Sequence, residues 1–255
     1  MSEENIVLEM KRIANRRKKK NNRKKRRIKT FNFFLFIIMI FCIYVLWESI
    51  KPNVVSYIHY LSSPLVCIDP GHGGNDTGAE INNYERVEKD DDLALALAVN
   101  DILKERGIRT CMTRNKDKTI SLSDRAKTAN NKNAALFVSI HRNYSNNIDA
   151  HGLEVWASKN KTDEETLLGN NILDELSKCK NTFSRGLKYG NSSSENQNYY
   201  VNGATKMPSV IVEMGFMTYD MDNRLFDTNF MDYALAIANG IEKTLYDLYP
   251  DEMIS

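Results

Sequence analysis

Three side chains that can bind a metal or move a proton stand at or just after runs typical of buried strands. His72 follows "LVCID", His141 ends "AALFVSIH", and Glu213 ends "SVIVE" in a chain with only four histidines. Ligands of α/β sheets gather at the carboxyl ends of the strands, so we expect these groups to converge there. Two histidines with a carboxylate resemble the donors of a catalytic zinc site, which leaves one position for water.

Each of these residues has a plainer interpretation when it is taken alone. A single strand-end histidine is usually a hydrogen-bonded structural residue, and a single strand-end glutamate is usually solvated. The metal interpretation therefore depends on convergence. In such a site the metal lowers the pKa of its bound water toward neutrality. A free carboxylate then serves as general base and afterwards as general acid.

The loop around His72 is rich in glycine. Gly71, Gly73 and Gly74 in "DPGHGGNDTGA" allow a sharp turn and a close backbone approach to a metal or substrate. The loop lacks both the GxGxxG spacing and the GK[ST] sequence of nucleotide-binding loops. The sequence thus argues against a nucleotide site.

The remaining patterns alternate between strand and helix. Apolar runs such as "GLEVWAS" and "SVIVEMGF" predict strands, and Ser121 and Thr162 are expected to cap helices that follow them. This alternation predicts an α/β fold with a central, mostly parallel sheet flanked by helices, preceded by one transmembrane helix.

The N-terminal part predicts membrane attachment. Residues 1–30 contain 13 Lys/Arg against three acids and form a basic cytoplasmic arm, and residues 31–50 form the anchor. The charge asymmetry predicts a single-pass protein with a cytoplasmic N-terminus and an extracellular domain. A cleaved signal peptide is the alternative, although no small-x-small cleavage site follows Trp47.

A linker over residues 51–64 and a catalytic domain over residues 65–250 complete the predicted organisation. Without the arm, 22 Lys/Arg face 30 Asp/Glu, so we expect no nucleic-acid partner. The arm itself suits anionic lipid beside a membrane segment. Cys67, Cys111 and Cys179 show no CxxC spacing, and the first two are expected to be small buried residues of strands.

Several blocks together resemble one enzyme family. The segments "CIDPGHGGNDTGA", "VEKDDDLALALA", "TRNKDKTISLSDRAKTAN", "LFVSIHRN", "GLEVWAS" and "PSVIVEMGFMT" span residues 65–246. Their order and spacing are similar to those of the zinc-dependent N-acetylmuramoyl-L-alanine amidases of the type-3 family, which are bacterial cell-wall hydrolases. The resemblance implies cleavage of the amide between N-acetylmuramic acid and L-alanine in peptidoglycan, with Zn²⁺ as cofactor.

The resemblance also implies roles for individual residues. His72, Glu88 and His141 correspond to the zinc ligands, and Glu213 corresponds to the catalytic glutamate that takes a proton from the attacking water. Glu85, three residues before Glu88 in "ERVEKD", is the weaker alternative for the glutamate ligand.

Further positions carry two interpretations each. Arg114 and Arg125 match recurrent family positions and either bind the substrate's peptide carboxylate or brace the fold. Asn143 orients substrate or loop, and Asp69 either orders the glycine loop or hydrogen-bonds a zinc histidine. Arg142 departs from the alanine that is common in the family, and its side chain either steers an anionic peptidoglycan strand or, as we rather expect, points to solvent.

The polar stretch "KYGNSSSENQNYYVNG" over residues 188–203 fits an exposed loop at the rim of the site. Two of its tyrosines, Tyr199 and Tyr200, either stack on a sugar or begin the next strand.

Two other functions remain as alternatives. The first is a catalytically silent peptidoglycan-binding domain, and the second is a related zinc amide hydrolase. Some membrane-anchored relatives act on the spore cortex, which this architecture permits. The sequence identifies no activator protein, and we expect a site that is open without one.

Overall fold

The computed structural model describes residues 3–81 and 85–253, which divide into two compact units, Met1–Tyr57 and Ile58–Ser255. Helix α1 spans Glu3–Ser62. Within it, Met10–Lys51 is long and apolar enough to cross a membrane, with a mean hydropathy of 2.4 in its most apolar window. It is therefore a candidate membrane anchor. The helix continues through most of the stretch predicted to be a linker, as far as Ser62, because this stretch contains no glycine and Pro52 alone does not end the helix.

The second unit contains the predicted α/β fold. Its elements are β1 (Leu65–Pro70), β2 (Glu80–Ile81), β3 (Arg86–Val87), α2 (Glu88–Glu105), β4 (Arg109–Met112), α3 (Leu122–Asn131), β5 (Leu136–Asn143), β6 (Leu153–Ala157), α4 (Asp163–Leu176), β7 (Ser184–Tyr189), α5 (Tyr200–Ala204), β8 (Ser209–Phe216), α6 (Asp220–Thr228), α7 (Phe230–Leu248) and α8 (Pro250–Met253).

Six strands form the central sheet in the order β4-β1-β5-β8-β6-β7, and β2 pairs with β3 in a small separate ladder. All neighbouring pairs of the central sheet are parallel except β6 with β8. The prediction of a mostly parallel sheet is confirmed. The middle strands β1, β5 and β8 are nearly continuous apolar runs because helices cover both of their faces.

Alternate residues of each strand enter two apolar layers. On one face, Ile68, Val138 and Val212 pack in the layer formed with α2, α4 and α7. On the other face, Phe137 and Ile211 pack in the layer formed with α3 and α5. Because side chains alternate between the two layers, a shift of one residue would expose the apolar set, and the register of each strand is therefore fixed. The carboxyl ends of the parallel strands lie at one edge of the sheet.

Two predicted helix caps are present. The Ser121 hydroxyl accepts a hydrogen bond from the Asp124 amide, and the Thr162 hydroxyl accepts one from Glu165. Each cap satisfies an amide that the first helical turn leaves without a partner. Cys67 is buried as expected, Cys111 is half-buried, and both thiols are free.

Candidate metal centre and active site

The sequence-predicted groups meet at the carboxyl edge of the sheet. His72 lies in the loop after β1, Glu88 is the first residue of α2, and His141 lies near the end of β5. His141 pairs in register with Glu213 of β8, so the two side chains stand side by side. They line an open cleft of about 650 Å³ together with His72 and Glu88.

The glycine loop places His72 by means of an unusual backbone. His72 has a φ of 50°, a left-handed conformation that costs a residue with a side chain roughly 1–2 kcal/mol. Two contacts stabilise this conformation. The Arg125 guanidinium donates to the His72 carbonyl, and His72 Nδ1 lies 2.8 Å from Asp76 Oδ1.

Three donor atoms converge as a metal site requires. Glu88 Oε1 lies 3.2 Å from His72 Nε2 and 3.0 Å from His141 Nδ1. Ligands at tetrahedral zinc are separated by roughly 3.3 Å, given bond lengths near 2.05 Å. Asp76 holds Nδ1 of His72, so the other ring nitrogen, Nε2, faces Glu88 and the proposed metal position. The residues present therefore fit a zinc ion.

The residues of this cluster shift one another's pKa values. Burial opposes the charge on Glu88, but hydrogen bonds with His141 and His72 outweigh it and hold the Glu88 pKa well below its usual range. Burial likewise opposes protonation of His72, yet Glu88 and Asp76 raise the His72 pKa to about 9. Without a metal, the carboxylate and the imidazole therefore form an ion pair, and a cation that binds here would displace the imidazole proton.

Glu213 behaves in the opposite way. It is buried, and its Oε2 has no hydrogen-bond partner among the described residues. Burial, followed by the negative charges of Glu88 and Glu154, raises the pKa of Glu213 well above its usual value. A carboxyl group with a raised pKa beside an open cleft is suited to accepting and returning a proton.

Glu85 is exposed, whereas the group of convergent donors contains Glu88. Asp92 belongs to the same group of donors, and the sequence analysis missed it. Its spacing was the available signal, because Asp92 follows Glu88 by four residues and so lies on the same helical face. Asp76 was also missed, although it follows His72 by four residues.

The two arginines brace the loop. Arg114 is buried and donates to the carbonyls of Pro70, Gly71 and Lys89. Arg125 is also buried and forms an ion pair of 2.7 Å with Asp69, which accepts hydrogen bonds from Thr113 and Ser139 as well. These contacts correspond to the bracing interpretation of both arginines and to the loop-ordering interpretation of Asp69.

Asn143 and Arg142 follow the second histidine, and their surroundings differ. Asn143 lines the cleft, donates to Glu154 and accepts from the Tyr144 amide. The expectation that Arg142 points to solvent was wrong, because its side chain is buried. It lies 2.5 Å from Asp91, donates to Asn223, and stacks 4.2 Å above the Phe226 ring.

Comparison with known proteins identifies the family to which this domain belongs. The Amidase_3 family, N-acetylmuramoyl-L-alanine amidase, matches residues 66–243. The chain belongs to this family. Its members' names indicate an enzyme that hydrolyses peptidoglycan, so the predicted activity is confirmed at the level of the family.

Relatives and solved structures of the amidase domain agree with this assignment. The sporulation-specific N-acetylmuramoyl-L-alanine amidase of Bacillus subtilis (strain 168) is 32% identical over 182 residues, covering 70% of this chain and 67% of that protein. The catalytic domain of CwlV from Bacillus (Paenibacillus) polymyxa var. colistinus is 32% identical with a TM-score of 0.64, covering 71% of this chain and 98% of that one.

A third relative is the CwlD amidase from Clostridioides difficile, solved in complex with the GerS lipoprotein. It is 25% identical with a TM-score of 0.62, covering 72% of this chain and 99% of that one. The CwlV structure consists almost entirely of the part that matches the second unit. The amidase domain is therefore expected to fold without α1.

Proposed function

We propose that this amidase cleaves the bond between N-acetylmuramic acid and L-alanine with a zinc ion held by His72, Glu88 and His141. The convergence of their donor atoms at 3.0–3.2 Å, beside the buried and unpartnered Glu213, carries the proposal. The match to the Amidase_3 family supplies the bond to be cleaved.

Zinc in this position supplies Lewis-acid activation of water and of the amide carbonyl. A carboxylate oxygen of Glu213 accepts a proton from the attacking water as the new C–O bond forms. The same oxygen then gives that proton to the alanine nitrogen, the C–N bond breaks, and a carboxylic acid and a free amine remain. The raised pKa of Glu213 supports both transfers, because it makes the protonated carboxyl accessible near neutral pH.

The walls of the cleft support binding of a glycopeptide. Tyr144, Tyr200 and Leu122 line it and are exposed, so they offer apolar faces to a sugar ring or a peptide stem. Tyr200 begins α5, which corrects the alternative that the tyrosines start a strand. Asn143 is the polar group that orients the bound strand, whereas Arg114 and Arg125 act through the loop that they brace.

Zinc content and bond cleavage, measured together, test the function. Residues 58–255 are assayed for zinc by elemental analysis and for release of new N-terminal alanine from purified peptidoglycan, with and without a chelator. About one zinc per chain with chelator-sensitive release is the expected result. Zinc without alanine release contradicts the amidase reaction, and absence of zinc favours the silent peptidoglycan-binding alternative.

The cell-surface location has support from α1. Its apolar segment is preceded by the basic arm, and this charge asymmetry favours a single-pass orientation with the N-terminus in the cytoplasm and the amidase domain outside. Peptidoglycan lies on that side of the membrane. The arm then contacts anionic lipid of the inner leaflet.

A role in the spore cortex is a second candidate. The sporulation-specific amidase among its relatives, at 32% identity, suggests this role. Muropeptide analysis of spores from a deletion strain tests it, because loss of the enzyme should leave stem peptides attached to cortex muramic acid. Unchanged cortex with abnormal separation of vegetative cells would point to the other role.

Activation by a partner is a separate question. CwlD was solved in complex with a lipoprotein, whereas the cleft described above opens to solvent. We therefore propose that the amidase domain is active without a partner. A large increase in the turnover of residues 58–255 on addition of a purified lipoprotein from the same organism contradicts this.

A further inference from the structure

A second carboxylate lies buried against the three proposed zinc ligands. Asp92 stands one helical turn after Glu88 on α2, and its side chain is fully buried. Neither of its carboxylate oxygens has a hydrogen-bond partner among the described residues. Such a group is uncommon, because buried polar atoms are nearly always paired.

Asp92 lies close to the donor atoms that are proposed to bind the metal. Single ligand atoms of His72, Glu88, Asp92 and His141 lie within 4.8 Å of one another, and Asp92 Oδ2 is 3.9 Å from His141 Nδ1. Gly71 provides the space, since a Cβ at this residue would lie about 2.5 Å from both of those atoms. The absence of a side chain at Gly71 thus leaves room for the Asp92 carboxylate beside His141.

The described residues offer the Asp92 carboxylate little to balance a negative charge. An unpaired carboxylate in a site that excludes water is costly, and the carboxylates of Glu88 and Glu213 increase that cost. Within 4.0 Å, His141 is the sole basic side chain among the described residues that approaches Asp92. Arg114 donates instead to backbone carbonyls. A divalent cation between the imidazoles supplies the missing positive charge.

We propose that Asp92 is the second carboxylate of the metal centre and that its negative charge strengthens binding of the cation. The three proposed ligands and the position for water stay as they are, and Asp92 lies beside them as a second carboxylate that supports the centre. This inference rests on the proposed function only in that a cation binds at this site, and it does not depend on which amide is cleaved.

The test compares Asp92→Asn with Asp90→Asn in residues 58–255. Asparagine keeps the shape of Asp92 and removes its charge, whereas Asp90 is exposed on the same helix and serves as the matched control. Zinc affinity is measured by competition with a chelator of known affinity, and urea unfolding is followed for each metal-free protein.

We expect D92N to bind zinc about 10–100-fold more weakly, as for other groups that support a metal site. Metal-free D92N should be at least as stable as the metal-free parent, because a buried carboxylate without a hydrogen-bond partner has gone, and D90N should match the parent in both measurements. Zinc affinity of D92N within about twofold of the parent overturns the inference, because the expected loss is at least about tenfold.

A metal-free D92N that unfolds, or that is clearly less stable than the parent, also overturns the inference, because Asp92 would then be a structural residue. If the parent itself binds no zinc, the proposed function fails. That result is distinct from a parent that binds zinc and a D92N that binds it equally well.

Discussion

At the residue scale, the surroundings give two glutamates opposite properties. Glu88 lies between two imidazoles, which hold its pKa low and keep it ionised as a candidate ligand. Glu213 lacks such a partner, and burial beside other carboxylates raises its pKa. Residue type alone does not separate the two roles. The sequence resemblance did so through motif position, and the structure supplies a physical reason for that division.

Replacement of Glu213 by glutamine should separate metal binding from catalysis. Glutamine cannot accept the proton of the attacking water, so turnover should fall by about 10²–10⁴-fold. Zinc content should stay near that of the parent, because the convergent donors are other residues. Elemental analysis and alanine release measure the two effects. His141→Ala should instead lose zinc and activity together.

Exposed Glu195→Gln provides the control for Glu213→Gln and should leave both quantities unchanged. Near-normal turnover of Glu213→Gln would show that another group takes the proton.

Glu154 should make stability depend on pH. Burial opposes its charge, but hydrogen bonds from Lys188, Arg185 and Trp156 outweigh burial and lower the Glu154 pKa. A lowered pKa stabilises the folded state at pH values above the ordinary glutamate pKa of about 4.3, and this contribution disappears as the pH falls through the lower folded value. Glu154→Gln should therefore destabilise the domain at pH 7 and much less in acid.

Urea unfolding of the parent and the Glu154→Gln variant at pH 7 and at the lowest pH at which the parent stays folded measures this difference. The Glu195→Gln variant serves as the control at both pH values. A destabilisation that is equally large at the two pH values would mean that Glu154 acts through packing and not through its charge.

At the scale of elements, the sequence predicted best where a strand is buried on both faces. Strands β1, β5 and β8 are long apolar runs, and the helices with Ser121 and Thr162 caps have clear starts. Edge strand β7 was missed because its sequence, "SRGLKY", is half exposed and contains a glycine, so it has no apolar period. The short helices α5 and α6 lie in polar stretches without a strong pattern.

Contacts between distant elements were also beyond prediction. Arg142 joins β5 to α2 and α6 through Asp91, Asn223 and Phe226, and sequence spacing contains no trace of these partners. The same holds for Asp92, whose importance depends on where His141 arrives from a strand 49 residues later. The motifs located the proposed zinc ligands. The residues that surround and support those ligands are brought together by tertiary packing, which the motifs do not show.

Replacement of Arg142 by alanine should destabilise the amidase domain. The change removes a buried guanidinium from Asp91 and from the Phe226 ring, and loss of one partner of a buried ion pair costs about 3–5 kcal/mol. The lower end is expected because Asp91 keeps Arg86, 2.7 Å away. Urea unfolding measures the change, with Lys127→Ala on exposed α3 as the control. A variant as stable as the parent would contradict this account.

At the scale of the whole molecule, the candidate anchor and the amidase domain are separate units with separate tasks. The unit Ile58–Ser255 has its own apolar layers and contains every residue proposed for catalysis. Activity on isolated peptidoglycan should therefore be independent of α1. Activity in the cell should depend on α1, because the substrate is a fixed wall.

The full chain should fractionate with membranes, whereas residues 58–255 should be soluble. Protease added outside intact protoplasts should remove an epitope on the amidase domain and spare one on the basic arm, as expected for a cytoplasmic N-terminus. A chain without residues 31–50 provides the control for fractionation. Protection of the amidase epitope would contradict the orientation, and release of a shortened protein into the medium would indicate a cleaved signal peptide.

The place of β8 in the sheet has a consequence for biosynthesis. This strand is the last of the sheet to be translated, yet it lies between β5 and β6 and contains Glu213. Until residues 209–216 arrive, β5 lacks one neighbour, and β6 and β7 cannot join the rest of the sheet. Pairing between such distant segments is slow and comes late. If the amidase domain crosses the membrane in order from Ile58 onward, as the proposed topology implies, it completes its core and gains Glu213 only after nearly all of it has crossed. Hydrolytic activity would then be delayed until export is almost finished.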